Sequence, residues 1–348
     1  MASLPRTMRA AVVRGGAIGV EEWPLPRPGH GQVLARTRAC GICGSDLHLF
    51  RHGAEMMRAA AEMGTPIPDI TNGLVLGHEF VAEIVAYGPG TDRRLPEGAR
   101  VCSVPFLLQD GEILAIGATT RTSGAYADYL LLTEAMLLPV ADDLPDEAAA
   151  LTEPVAVAVH AVARGGVAAT DACVVVGCGP IGLAIIAVLR DAGVQHVVAA
   201  DFSPGRRALA AALGATAVVN PGEGSAFARM QELAPGAPVV VFECTGANGV
   251  LDRIIKEAPQ AARIVVAGIA AGEDRIVPMI AIAKELGIQF VNYYQPAEFA
   301  AALRMLTEAR INWQPLVTGS VGLDDVAAAF EALRDPERHA KILIQPGR

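Results

Sequence analysis

Residues Gly177-Cys178-Gly179-Pro180-Ile181-Gly182 constrain the fold of this chain more than any other stretch. They follow an apolar run, Cys173–Val176, and open a helical pattern, Pro180–Asp191, with Gly193 placed to end it. In such a turn the first glycine permits a tight reversal and the second lets a pyrophosphate approach the backbone. The third allows close packing of helix on strand, and the helix N-terminus favours negative charge. An acid closes the next strand pattern, Val197–Ala200: Asp201 lies 19 residues after Gly182, the spacing of a carboxylate that holds ribose hydroxyls. The glycine pattern alone is common. Strand, turn, helix and acid in this order make it a dinucleotide site.

The alternation continues beyond it. Ser203-Pro204 supplies an N-cap and an N1 proline for a helix that stops near Gly214. Ala217–Val219, Val239–Phe242 and Ile264–Ala267 read as further buried strands with helices between them. That pattern predicts an α/β fold with a doubly wound parallel sheet of the Rossmann type. The candidate cofactor residues are Gly177, Gly179, Pro180, Ile181, Gly182, Asp201, Arg206, Cys244 and Gly268. Asp201 favours NAD over NADP, because a carboxylate repels a 2′-phosphate; Arg206 and Arg207 stand close enough to soften the preference.

At 348 residues and 52% apolar content the chain has room for two cores. From the N-terminus to about Leu151 the texture is different: short strands (Gln32–Ala39, Val81–Tyr87, Ala127–Leu132) broken by Gly and Pro, as in a β-barrel. The last strand, Lys341–Ile344, returns to that domain. The expected boundaries are 1–153 with 292–348 for the first domain and 154–291 for the dinucleotide domain.

A formal charge of −9 argues against nucleic acid or an anionic membrane as partner. The N-terminal residues carry no secretory pattern. Ala172–Leu189 is free of charge for 18 residues, but its glycines and proline fit a strand, turn and helix better than a membrane span. A cytoplasmic protein is expected, and the six scattered cysteines are expected to be reduced, buried or metal-bound.

The first domain holds a second constellation. Cys43-Gly44-Ser45-Asp46-Leu47-His48 is followed about thirty residues later by Gly77-His78-Glu79. Zinc takes tetrahedral N, S and O ligands, and a catalytic ion keeps one position open. Cys43, His78 and a carboxylate, either Glu79 or Glu153, would supply three. Spacing alone leaves Cys40 open as the thiolate. Each residue has an ordinary structural reading by itself: a buried thiol, a core histidine, an acid at a helix N-terminus.

With these motifs in this order, the chain resembles the zinc-containing medium-chain alcohol dehydrogenases, nearest their polyol, threonine and butanediol branch. The match includes Gly124-Ala125-Tyr126-Ala127-Asp128-Tyr129, Glu153-Pro154 leading to His160-Ala161, and His339-Ala340-Lys341. The resemblance implies a GroES-like β-barrel catalytic domain made from both chain ends. It implies Cys43, His78 and Glu153 as zinc ligands, with Glu79 contacting or exchanging onto the metal. Asp46 would orient the histidine, and Ser45 and His48 would relay the proton. Hydride would pass between an NAD cofactor and a secondary alcohol, diol or polyol, in a homodimer or homotetramer. Where relatives carry a four-cysteine loop, this chain has only Cys102, so one zinc per subunit is expected. Arg51–Met63, with Met56, Met57 and Met63, reads as a short amphipathic helix, either near the substrate mouth or peripheral with its methionines packed on the barrel. Stretches near Phe50, Phe106, Leu107 and Tyr293–Gln295 are expected to shape the substrate pocket. Two rival readings are a zinc-independent quinone or enoyl reductase of the same superfamily and a nucleotide-binding protein without catalysis.

Overall fold

The computed structural model describes residues 4–62, 64, 73–270 and 272–348, the side chains of 52 and 54–60 excepted. Apolar runs and helical patterns sort into two units. One is Met1–Glu153 with Val317–Arg334 and Lys341–Arg348; the other is Pro154–Leu316 with Asp335–Ala340.

The second unit is built on a six-stranded sheet, all parallel. Across the sheet the strands run Ala217–Val219, His196–Ala200, Ala172–Val176, Val239–Glu243, Arg263–Val266 and Gly287–Phe290. In chain order that is third, second, first, fourth, fifth, sixth, the doubly wound Rossmann arrangement. The central strands ACVVV and VVVFE are apolar on both faces, as a sheet covered on both sides requires. Val174 sits in register with Val198 on one side and Val241 on the other. Helix Pro180–Asp191 starts on a proline that needs no N–H partner, and Ser203 caps the next helix by accepting from the Arg206 N–H.

Residues 292–316 were expected in the first domain and fold with the second unit instead. The physical reason is helix Pro296–Thr307, which buries Phe299, Ala302, Leu303, Met305 and Leu306. Phe299 also stacks on Tyr294, ring centroids 5.5 Å apart. The return to the first unit begins at Val317.

In the first unit the long strand Gln32–Gly41 pairs with Glu79–Tyr87 on one side and Tyr129–Thr133 on the other. Its last residues pair with the C-terminal strand: Leu343 with Gly41 and Ile344 with Cys40. The chain's end therefore clamps the strand that leads into Cys43. Val33, Leu34, Ile84, Leu130 and Ile342 are among the side chains filling the core beneath. A hairpin, Phe106–Gln109 with Glu112–Ala115, follows Cys102 and buries Leu107.

The helix expected over Arg51–Met63 is longer and starts earlier, spanning Gly44–Glu62. Its first turn carries the zinc-type motif, and Asp46, third in the helix, accepts from the Cys43 N–H (3.0 Å). That is half of a capping box, with Cys43 as the cap. The side chains of Met56 and Met57, and Met63 itself, lie outside the described residues. Among the described residues no helix is long and apolar enough to cross a membrane.

Truncating Phe299 leaves a cavity in the core of the second unit. Phe299→Ala is expected to cost about 3–5 kcal/mol, read as a lowered urea midpoint for the transition that also abolishes nucleotide binding.

Candidate metal centre and dinucleotide turn

Three elements of the first unit bring the metal-type residues together. The strand Gln32–Gly41 delivers Cys43, the loop before Glu79–Tyr87 delivers His78, and that strand's first residue is Glu79. Ligand atoms of Cys43, His78 and Glu79 all lie within 4.8 Å of one another. Cys40, which spacing had left open, is fully buried beside them but outside this group; burial above all pushes its thiol well above the ordinary range. Cys102 is buried too, approaches the Ala149 carbonyl and accepts from the Thr152 hydroxyl; burial pushes its thiol up to about 12.

Asp46 organises the centre. Its Oδ2 accepts from the Cys43 N–H and from the Tyr126 hydroxyl (2.6 Å), while Oδ1 faces His78 Nδ1 at 3.5 Å. Burial raises the Asp46 pKa, but His78, Tyr126 and the Cys43 N–H together outweigh it and the carboxyl titrates below its usual range. Burial likewise lowers His78, and Asp46 and Cys43 override it, so the imidazole sits well above its ordinary value in the metal-free chain.

Glu79 is fully buried and both its oxygens are held by Lys341 Nζ, at 2.6 and 2.5 Å. Lys341 is 2% exposed and also donates to the Ile42 carbonyl. Burial opposes its charge, and Glu79 then reverses the balance and raises its pKa; Cys43 and Glu153 add to that field. Glu153 is buried in the first turn of helix Thr152–Arg164 but does not join the group of three. Ser45 and His48 are three residues apart on helix Gly44–Glu62, one turn of a single face, and both are half-buried. The sequence marks Lys341 and Tyr126 only as members of matched segments, with no role of their own. A lysine heading the apolar run Ile342–Ile344 was the available signal for the first.

The donor set fits zinc. A thiolate, an imidazole and a carboxylate match its borderline softness, and the buried Asp46 supplies the outer support that metal-bound histidines need.

In the second unit the glycine turn has the expected form. Gly177 has φ +91°, a left-handed conformation that side chains resist. A methyl group on Gly182 would overlap the Gly177 carbonyl oxygen, while one on Gly179 would meet nothing within 4 Å. The middle glycine thus offers the open backbone and the third the close packing. Pro180 and Ile181 open the helix, half-buried. Asp201 is tied to the turn: Oδ2 accepts from the Cys178 N–H (2.8 Å) and Oδ1 from the Ser203 N–H (2.9 Å). Arg206 is half-buried, with its Nε buried and unbonded. Cys244 donates its N–H to Val176, and Gly268 donates to the Glu243 carbonyl, so both sit at the carboxyl ends of the central strands. Glu243 is buried there and accepts from the Thr245 and Gly246 N–H groups.

Comparison with known proteins agrees with this geometry. Residues 29–142 match the alcohol dehydrogenase GroES-like domain, and residues 180–308 match the zinc-binding dehydrogenase domain. The chain belongs to the zinc-containing medium-chain alcohol dehydrogenase family. This dehydrogenase is 31% identical to (R,R)-butanediol dehydrogenase of Bacillus subtilis, over 94% of its length and 96% of the relative's. It is 30% identical to sorbitol dehydrogenase of Homo sapiens, over 96% and 94%. The crystal structure of 2R,3R-butanediol dehydrogenase from Bacillus subtilis superposes with a TM-score of 0.83, covering 97% of this dehydrogenase and 99% of that chain.

Removing one partner of the buried pair strands the other's charge. Lys341→Met is expected to cost about 3–5 kcal/mol in urea unfolding of the zinc-free protein, and the double change Lys341→Met/Glu79→Gln to recover most of it.

Proposed function

We propose that this dehydrogenase oxidises a secondary alcohol, diol or polyol with NAD, using one zinc ion held by Cys43, His78 and a buried carboxylate. The observation that carries the reading is the Cys43–His78–Glu79 group backed by Asp46. Two buried acids could supply that carboxylate: Glu79, which lies in the group but has both oxygens on Lys341, and Glu153, whose charge also reaches Lys341. The butanediol and sorbitol dehydrogenases among its relatives support a substrate with neighbouring hydroxyl groups.

When bound, zinc supplies Lewis acidity that lowers the pKa of an alcohol. The chain's own residues do the rest. Asp46 fixes the ring of His78 and, through the Cys43 N–H, the start of the helix that bears the relay. Ser45 Oγ takes the substrate's hydroxyl proton and His48 carries it onward. NAD, when bound, would supply the hydride acceptor, so that alcohol and NAD⁺ would yield ketone, NADH and one proton. The Gly177–Gly182 turn would hold the pyrophosphate at the helix N-terminus, and Asp201 would hold the ribose.

A homo-oligomer fits the open edge of the second unit's sheet. Among the described residues strand Gly287–Phe290 is paired on one side only, and Ile276, Val277, Met279, Ile282 and Phe290 are exposed around it. Such an unpaired apolar edge invites a second copy. Six free thiols suit the reducing cytoplasm.

Three outcomes test the proposal. A chelator should abolish NAD-linked oxidation of 2,3-butanediol or sorbitol and zinc should restore it; turnover that survives chelation would sink the metal mechanism. Ser45→Ala should lower kcat by roughly 10²–10⁴-fold in steady-state assays with zinc content unchanged. The raised His78 pKa stabilises the zinc-free fold below the ordinary imidazole pKa, and that contribution is lost as pH climbs through the raised value. Zinc needs the neutral ring, so its affinity should move the opposite way and tighten with rising pH, with proton release measurable by calorimetry in buffers of different ionisation enthalpy.

A further inference from the structure

Tyr126 touches both halves of the metal centre and belongs to neither. It is fully buried, and its hydroxyl donates to Asp46 Oδ2 at 2.6 Å, with the Gly41 carbonyl at 3.3 Å. Its ring lies where a side chain at position 77 would have to go, against the residue that precedes His78. Its backbone N–H donates to Leu76, and the N–H of Ala125 donates to Gly77. On its far side the ring meets Phe330 edge-on at 6.2 Å.

We propose that Tyr126 is a positioning residue for the metal: its hydroxyl, with the Cys43 N–H, fixes Oδ2 of Asp46 so that Oδ1 alone is presented to His78. A carboxylate with one buried oxygen left unbonded could rotate and offer His78 either oxygen. Two donors on Oδ2 remove that freedom, because turning the group would break both bonds inside the core. The ring sets the height of the His78 loop, and the hydroxyl sets the angle of the group that orients His78. This inference rests on the zinc reading above and adds a residue that does not touch metal, substrate or cofactor.

The test is Tyr126→Phe, which keeps the ring and removes one oxygen. Zinc release from the purified protein to a chromophoric chelator should be about tenfold faster, the low end of losses when outer support of a metal-bound histidine is removed. The same substitution in an Asp46→Asn background should change release by less than about twofold, because the hydroxyl acts through that carboxylate. The cobalt-substituted variant should show a shifted thiolate-to-metal charge-transfer band. The zinc-free variant should melt close to the zinc-free parent. Unchanged zinc release, or an equal loss in both backgrounds, would overturn the inference. So would a zinc-free variant that unfolds, since the hydroxyl would then hold the fold and not the metal site. A parent protein that takes up no zinc would remove the metal assignment itself, an outcome separate from a zinc-loaded parent whose Tyr126→Phe variant behaves identically.

Discussion

The ion pair between Lys341 and Glu79 ties the end of the chain to its first third. The two residues are 262 positions apart and almost completely excluded from water. Lys341 heads the strand whose next residues pair with Gly41 and Cys40, and Glu79 follows the histidine of the metal centre. An uncompensated charge in that position would be expelled or neutralised. The pair therefore helps to fix where the returning strand docks, beside the strand that leads into Cys43. A buried carboxylate beside a second acid would be electrostatically unfavourable alone, and the Lys341 ammonium offsets that.

From that anchor the centre is built by residues that each serve twice. Asp46 begins a helix by capping Cys43 and also orients His78. Glu79 opens a strand of the core sheet and supplies a donor to the metal group. Asp201 ends a strand, secures the glycine turn through the Cys178 N–H, and stands where the ribose is expected. Double use of this kind explains why short motifs are so tightly spaced: the backbone and the chemistry need the same side chains at the same positions.

Much of this was legible in the sequence because it is local. A glycine turn needs its neighbours within six residues, and the helix Pro180–Asp191 is bounded by signals inside it. Cys43 and His78 were legible as types of ligand; spacing alone did not separate Cys43 from Cys40, and the family resemblance is what pointed to Cys43. Lys341 was hidden because its partner is far along the chain and a lysine ordinarily reads as surface. Tyr126 was hidden because an apolar ring and a single hydroxyl look like core. The early start of helix Gly44–Glu62 was missed because glycine and serine are weak helix formers, and the cap is made backwards from Asp46. The span 292–316 groups with the second unit because the strand–helix rhythm does not stop at Gly287–Phe290: one more helix, Pro296–Thr307, follows and buries an apolar face.

The account stands on one mixed-donor zinc centre, and X-ray absorption at the zinc edge of the purified protein measures its donors directly. One sulfur at about 2.3 Å with the remaining donors nitrogen or oxygen at about 2.0–2.2 Å is the predicted shell, with the sulfur lost in Cys43→Ser and retained in Cys40→Ser. A shell with no sulfur or with several, or a sulfur that survives Cys43→Ser, would contradict it.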